Sequence, residues 1–255
     1  MLGHRERFER PDVPKPSAYR NLVSLGVIAV VAIVCLVLFR TFWHKANQMN
    51  YLNDKTLYEA LYDQVDVTGP SDGRQWSDDS FSNCLVLIVD DIHAEQPELK
   101  GAQIIVRNTT QGTAAWTQLP LNTKLSANES TTFLSRLFSE AGAAAVLPPL
   151  TDAANVHVSH VIVGSERIWD QLKTFEGPGI KALFTDQTDD FYTISSDMST
   201  SDLVKFAESL QAIGFENIGE VGCPNWGDTL EDGSEVAVID RQELPVAFGI
   251  FYWPS

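Results

Sequence analysis

The sequence predicts an α/β (α+β) domain with a single central mixed sheet flanked by helices, carried behind one transmembrane helix. Three observations predict it. Residues 22–39 form an 18-residue run without a charge. Residues 84–89, Cys-Leu-Val-Leu-Ile-Val, are continuously apolar, as a central strand buried on both faces requires. From there, strand-like and helix-like patterns alternate to the end of the chain, the pattern of one sheet layered with helices.

The run 22–39 comes first. At 1.5 Å rise per residue it is ~27 Å long, close to the hydrocarbon thickness of a bilayer. Arg20 and Arg40 bracket it, and Phe42 and Trp43 follow as an interfacial aromatic belt would. It is apolar all round, unlike an amphipathic core helix. No small-x-small site follows it, as a cleaved signal peptide would need. Arg5, Arg7, Arg10, Lys15 and Arg20 precede it, against Arg40 and Lys45 beyond it. That asymmetry places the tail, residues 1–21, in the cytoplasm and the C-terminal domain outside a single-pass cell membrane anchor. Gly26 has no glycine four residues away to make a helix-pairing motif.

Charge is partitioned. Seven of the 18 basic and three of the 34 acidic residues precede residue 46, leaving 11 and 31 for the rest, a formal −20. Such a domain excludes nucleic-acid binding through phosphate neutralisation. It is also repelled by anionic headgroups. Of three cysteines, Cys35 falls in the apolar run. Cys84 and Cys223 are the only pair that could bridge in an oxidising compartment, and their spacing matches no metal motif.

Residues 40–83 read as a juxtamembrane helix and linker. Tyr51, Leu52, Leu57, Leu61 and Val65 recur near helical spacing, and residues 66–83 are rich in Gly, Ser, Asp and Pro. The folded domain, 84–255, opens on the apolar strand. Strands are expected at 102–106 and 113–119, joined by a turn at Gln111 and Gly112. Helical spacing covers 130–141, and 142–154 reads as a second helix interrupted by Pro148 and Pro149. A strand at 156–163, a helix at 165–173 and a short strand at 191–194 follow. Residues 199–213 form an amphipathic helix with Ser199 as N-cap and Gly214 as C-cap. Strands at 215–221 and 235–239 come last.

For chemistry, the sharpest cluster is Asp90, Asp91 and His93 at the end of the first strand, where α/β sheets often place their sites. A metal would need further ligands. His157 and His160 are three apart in an expected strand, so they face opposite ways and cannot chelate together. Asp186, Asp189 and Asp190 form a second acidic run in an expected loop. No nucleophile elbow, S-x-x-K or phosphate loop is present. Five arginines remain in the outer domain, past residue 45: Arg74, Arg107, Arg136, Arg167 and Arg241. Arg107, at a strand end, is the one to test. Asn108-Thr109-Thr110 and Asn128-Glu129-Ser130 fit the N-glycosylation pattern.

The order of segments resembles the LytR-CpsA-Psr family, which attaches glycopolymers to the Gram-positive cell wall from a polyprenyl-pyrophosphate carrier. Leu85-Val86-Leu87-Ile88-Val89-Asp90 sits where that family has a strand ending Leu-Leu-Gly-x-Asp. Gln118-Leu119-Pro120-Leu121-Asn122-Thr123 sits where it has Ser-Ile-Pro-Arg-Asp-Thr. Residues 156–163, followed by Ile168-Trp169-Asp170-Gln171-Leu172, are similar to its strand and helix before a Gly-Gly-Val. Residues 193–199 resemble its late Asp-Met-Ser element.

The departures are as informative. Ile92, Leu121 and Asn122 replace family arginines and a carboxylate, and the family's second Asp falls near Gly101. Pyrophosphate binding needs convergent arginine forks. Only Asp90 carries over, so the resemblance implies an LCP-like fold with a vestigial site, no cofactor and no transferase activity. The partner it implies is a polyprenyl lipid or an active paralogue in the membrane. The alternatives are a surviving transferase using Mg²⁺ with relocated phosphate ligands, Arg107 with Lys124 or Arg136, and an unrelated membrane-anchored interaction or sensor domain.

Overall fold

A computed structural model describes residues 19, 25, 27–38, 40, 52–127, 130–175 and 193–254. The chain divides into two compact units, Met1–Gln48 and Met49–Ser255. In the first, Leu25, residues 27–38 and Arg40 are helical and exposed. Among the described residues, no helix is long and apolar enough to cross a membrane.

The second unit opens with α1 (Lys55–Tyr62), capped by Asp54, whose side chain accepts from the Thr56 N–H. Leu57 and Ala60 are buried in the same cluster as Leu85 and Leu147, so this helix packs on the body. A short strand β1 (Gln75–Trp76) precedes β2 (Phe81–Val89), β3 (Leu99–Asn108) and β4 (Thr113–Leu119). A hairpin, β5 (Lys124–Ala127) and β6 (Ser130–Phe133), leads into α2 (Leu134–Ala154). Then come β7 (His160–Gly164), α3 (Ile168–Thr174), β8 (Ile194–Ser196) and α4 (Thr200–Ile213). The chain closes with β9 (Gly219–Glu220), β10 (Asn225–Thr229), β11 (Glu235–Ile239), α5 (Glu243–Ala247) and β12 (Phe251–Tyr252).

The central sheet has six strands in the order β8-β7-β2-β3-β4-β9. It is mixed: β2 runs parallel to β7 and β4 to β9, while β2–β3, β3–β4 and β7–β8 are antiparallel. Side-chain alternation sorts β2 and β3 between two apolar layers. Leu85, Leu87, Ile104 and Val106 face α2 and α5, and Cys84, Val86 and Ile105 face α3 and α4. Burying each such side chain contributes roughly 1.5–3 kcal/mol, and both layers draw on the two central strands. β2 thus matches the expectation of a strand buried on both faces.

Several elements differ from expectation. The helix expected from residue 130 starts at Leu134, because 130–133 pair with 124–127 as a hairpin. The break in α2 falls at Gly142, not at the prolines. Gly142 adopts φ 79° and ψ −178°, a conformation essentially reserved for glycine. Cys84 and Cys223 do not pair: both are free thiols, and they pack against opposite apolar layers. Burial pushes the Cys223 thiol up to about 11 and the Cys84 thiol well above its ordinary value. Ser199 and Gly214 cap α4 as the sequence reads.

Candidate functional site

Asp90 follows β2, just past a register irregularity at Ile88 and Val89. Its Oδ1 accepts from the backbone N–H of Asp91 at 2.7 Å and of Glu98 at 2.8 Å. Its own N–H donates to the Glu98 carbonyl at 3.2 Å. The carboxylate therefore closes the 90–98 loop. The Glu98 N–H, then the Asp91 N–H, hold it below the usual carboxylate range, with Lys100 adding to the effect. Asp91 Oδ1 is likewise occupied by the His93 N–H at 2.9 Å. Among the described residues, no group of three or more His, Cys, Asp or Glu side chains could hold a metal ion.

The antiparallel register gathers one end of the sheet. Val89 lies opposite Leu99, and Ala102 opposite Leu119. Asp90, Gly101 and the Leu121–Asn122 pair are thereby brought to the same sheet end. Ile92 and Leu121 pack against the apolar layer under α2. Asn122 is committed to β11, its carbonyl accepting the Ala237 N–H at 3.0 Å and its Nδ2 donating to the Glu235 carbonyl at 3.2 Å. A Cβ at Gly101 would meet Ile88 Cδ1 at 3.3 Å.

The arginines are dispersed. Arg74 bridges Glu243 and Asp72 and stacks 4.6 Å from the Trp253 ring. Arg136 pairs with Asp232 at 2.8 Å, holding that carboxyl at about 2. Lys124 pairs with Asp228 at 2.7 Å, and Arg241 with Asp152 at 2.7 Å. Arg136 and Lys124 thus serve the β10–β11 hairpin, whereas Arg107 lines a different cleft with α4.

That cleft, about 560 Å³, is lined by Asn53, Arg107, His160, Ser199, Lys205 and Phe206 among others. β3 places Arg107 on the same face as Ile105, opposite Ser82. Its Nη1 donates to Ser209 Oγ, and its guanidinium sits 5.8 Å from the Phe206 ring. Its Nε is buried without a partner. Burial lowers its pKa.

β7 supplies His160, whose Nδ1 lies 2.9 Å from Asp197 Oδ2. Asp197 Oδ1 accepts the Val161 N–H at 2.7 Å, and the carboxylate is nearly enclosed. A carboxylate only accepts, so Nδ1 carries the proton and Nε2 is left for the cleft. His157 lies before the strand and is exposed, so the two histidines do not share one. Sequence reasoning missed the His160–Asp197 pair. Its signal, a histidine opening one strand and an aspartate following the next, becomes readable only once β7 and β8 are paired.

A second recess of about 710 Å³ is lined by Gln103, Trp116, Trp169, Lys173, Phe215 and Ile218. Trp169 lies 6.3 Å from Trp116 and 6.2 Å from Phe215, centroid to centroid. Its indole N–H donates to Gln103 Oε1 at 2.8 Å, and Gln103 Nε2 donates to Gln118 Oε1 at 2.9 Å. The sequence reading did not group these rings, which come from three distant segments. Asp186, Asp189, Asp190 and Asn128 lie outside the described residues; Asn108 is half-buried and donates to Asp79 at 2.7 Å.

No family model matches this chain, and no curated protein matches it. Solved structures are similar in outline. One described as the transcriptional regulator yvhJ from Bacillus subtilis is 8% identical, covering 67% of this chain and 95% of its own, at a TM-score of 0.49. B. subtilis TagV is 8% identical over 70% of this chain and 100% of its own, also at 0.49. TagT bound to LI-WTA is 10% identical over 68% of this chain and 92% of its own, at 0.47. A likeness this loose carries no argument about what the chain does.

Proposed function

We propose that this chain is a membrane-anchored, extracytoplasmic LCP-like domain that serves cell-wall glycopolymer assembly without catalysing the transfer. The observation that carries the reading is the occupancy of one sheet end. The positions at which the resemblance expects phosphate-binding groups converge there, at 90, 92, 101, 121 and 122. Two of those side chains, Ile92 and Leu121, are spent on the apolar layer, and Asp90 is spent on backbone N–H groups. Pyrophosphate carries several negative charges. A sheet end that offers it a carboxylate and no guanidinium fork repels it.

The charge-free run 22–39 supports the anchor, with its N-terminus cytoplasmic by the basic asymmetry. The aromatic recess at Trp116, Trp169 and Phe215 is the surface best suited to a polyprenyl chain, and an active paralogue is the partner that would supply the missing chemistry. The test is release of polyprenyl phosphate from a pyrophosphate-linked glycan carrier, with Mg²⁺ and the full chain. Background release is expected. Release well above background that disappears in Asp90→Ala would overturn the reading.

A further inference from the structure

We infer that the cleft around Arg107 is a phosphate-binding site, built by Arg107 on β3, His160 on β7 and Lys205 on α4. The inference starts from an imbalance of charge. Beyond residue 45 the chain carries a formal −20, and Arg74, Arg136 and Arg241 each hold a carboxylate. Among the described residues, Arg107 alone of these four has no carboxylate within ion-pair distance, and a neutral serine hydroxyl is its one hydrogen-bond partner. Its Nε is buried and unpartnered. Partial removal of a guanidinium from water without a counter-charge is costly. An anionic ligand would remove that cost.

The acidic groups of the cleft do not supply the counter-charge, because each is committed elsewhere. Asp197 accepts from His160 and from the Val161 N–H. Asp202 accepts from Ser199 Oγ at 2.7 Å and from Lys205 Nζ at 3.0 Å, and its pKa is lowered chiefly by Ser199. What remains to face a ligand is two donors, the guanidinium and the remaining ammonium hydrogens of Lys205, and one acceptor, the His160 Nε2, which suits the P–O–H of a monoprotonated phosphate.

The geometry favours phosphate over carboxylate. A planar carboxylate is satisfied by one arginine fork. Here two donors and one acceptor stand on three different elements around a cleft of about 560 Å³, large enough for a phosphate ester. A tetrahedral hydrogen phosphate presents acceptor oxygens to the two cations and its own O–H to the imidazole nitrogen. The Asp197 carboxylate fixes the imidazole ring, as a buttress does for a histidine that meets a ligand. The site stands at the end of the sheet opposite Asp90, so it does not depend on the family resemblance.

The full chain in neutral detergent is titrated with inorganic phosphate by calorimetry, while the His160 ring nitrogens are followed by NMR. Saturable binding with a shift at His160 Nε2 is expected. Arg107→Met should weaken binding about tenfold or more, since it removes a charge-assisted hydrogen bond. Lys205→Ala, at a largely exposed position that leaves packing intact, should weaken it about threefold. Glycerol phosphate and short-chain phosphatidic acid distinguish a soluble ester from a lipid headgroup, and tighter binding of either supports the site. No saturable binding, equal affinity in Arg107→Met, or displacement of phosphate by equimolar acetate would overturn it.

Discussion

Asp90 and Arg107 stand at opposite ends of one antiparallel strand pair. Arg107 lies opposite Ser82 near the start of β2, and Asp90 follows Val89 at its end. With a rise of ~3.3 Å per residue, the path from Ser82 to Asp90 is about 26 Å. No single phosphate can touch both. The two candidate residues therefore belong to separate questions: what closes the loop at one end, and what neutralises a half-buried guanidinium at the other.

At the Asp90 end the role is local. Asp90→Ala removes the acceptor for two backbone N–H groups, so the Asp91 and Glu98 amides should exchange markedly faster while β2 stays protected. The pH dependence has a definite sign. The folded carboxyl titrates below its unfolded value, so its contribution is fully present above about pH 4–5, where the unfolded carboxyl is ionised. It is lost as pH falls through the lower folded value. Hydrogen exchange of the Glu98 amide between neutral and acid pH checks this. Unchanged exchange in Asp90→Ala would contradict the role.

At the Arg107 end, stability and ligand binding should separate. Arg107→Met keeps the length of the side chain over Phe206 and removes a charge that has no counter-ion among the described residues. Replacing such a group by an apolar one is commonly neutral or stabilising. Denaturant unfolding should show a change between none and about 1 kcal/mol of added stability. A loss of several kcal/mol would mean that Arg107 serves the fold rather than a ligand.

The sequence exposed the parts of the fold whose signal is local. β2 is visible because residues 84–89 need no polar face, and α4 because Ser199 and Gly214 mark both ends. β10 is invisible because all of Asn225–Thr229 is exposed, so no alternation forms. β6 was hidden by Phe133, which extends the helical spacing of Leu134, Leu137 and Phe138 backwards by one residue. The site behaves similarly. Asp90 at a strand end is legible, but its partners are backbone N–H groups, which a sequence does not display. The Arg107 cleft joins residues 107, 160, 197 and 205, and only the strand order brings them together.

Gln103 tests how the aromatic recess is held. Its buried amide accepts from the Trp169 indole and donates to Gln118. Gln103→Leu conserves volume and leaves both partners without it. Gln118 is exposed and can turn to water, so the cost falls on the half-buried Trp169 indole N–H; stranding a buried polar group costs about 1–3 kcal/mol. A destabilisation of about 2 kcal/mol, with a shift in Trp169 emission, is the expected result from fluorescence-detected unfolding. A neutral outcome would place water, rather than Gln103, as the partner of the indole.

The segment 66–83, whose composition reads as a linker, is held at Arg74–Trp76 by Glu243 and β12, and at Thr68 by Asn155. Asn155 ends α2 in the left-handed conformation, at φ 52° and ψ 39°. Its Oδ1 accepts the Thr68 N–H at 2.7 Å, and its Nδ2 donates to the Thr68 carbonyl at 3.0 Å and the Arg241 carbonyl at 2.8 Å. The side chain thus ties the helix end to the approach of β1 and to the turn before α5, and it is 1% exposed. Asparagine tolerates the left-handed region better than other residues with a Cβ. Asn155→Ala therefore loses both the conformation and three hydrogen bonds. It should cost about 3 kcal/mol or more. Asn155→Gly restores the conformation alone and should recover only about 1 kcal/mol of that. Limited proteolysis gives an independent readout: cleavage within 66–74 should accelerate in both variants. If Asn155→Gly matches the wild type in stability and in cleavage, the amide bonds are not what holds the chain at Thr68.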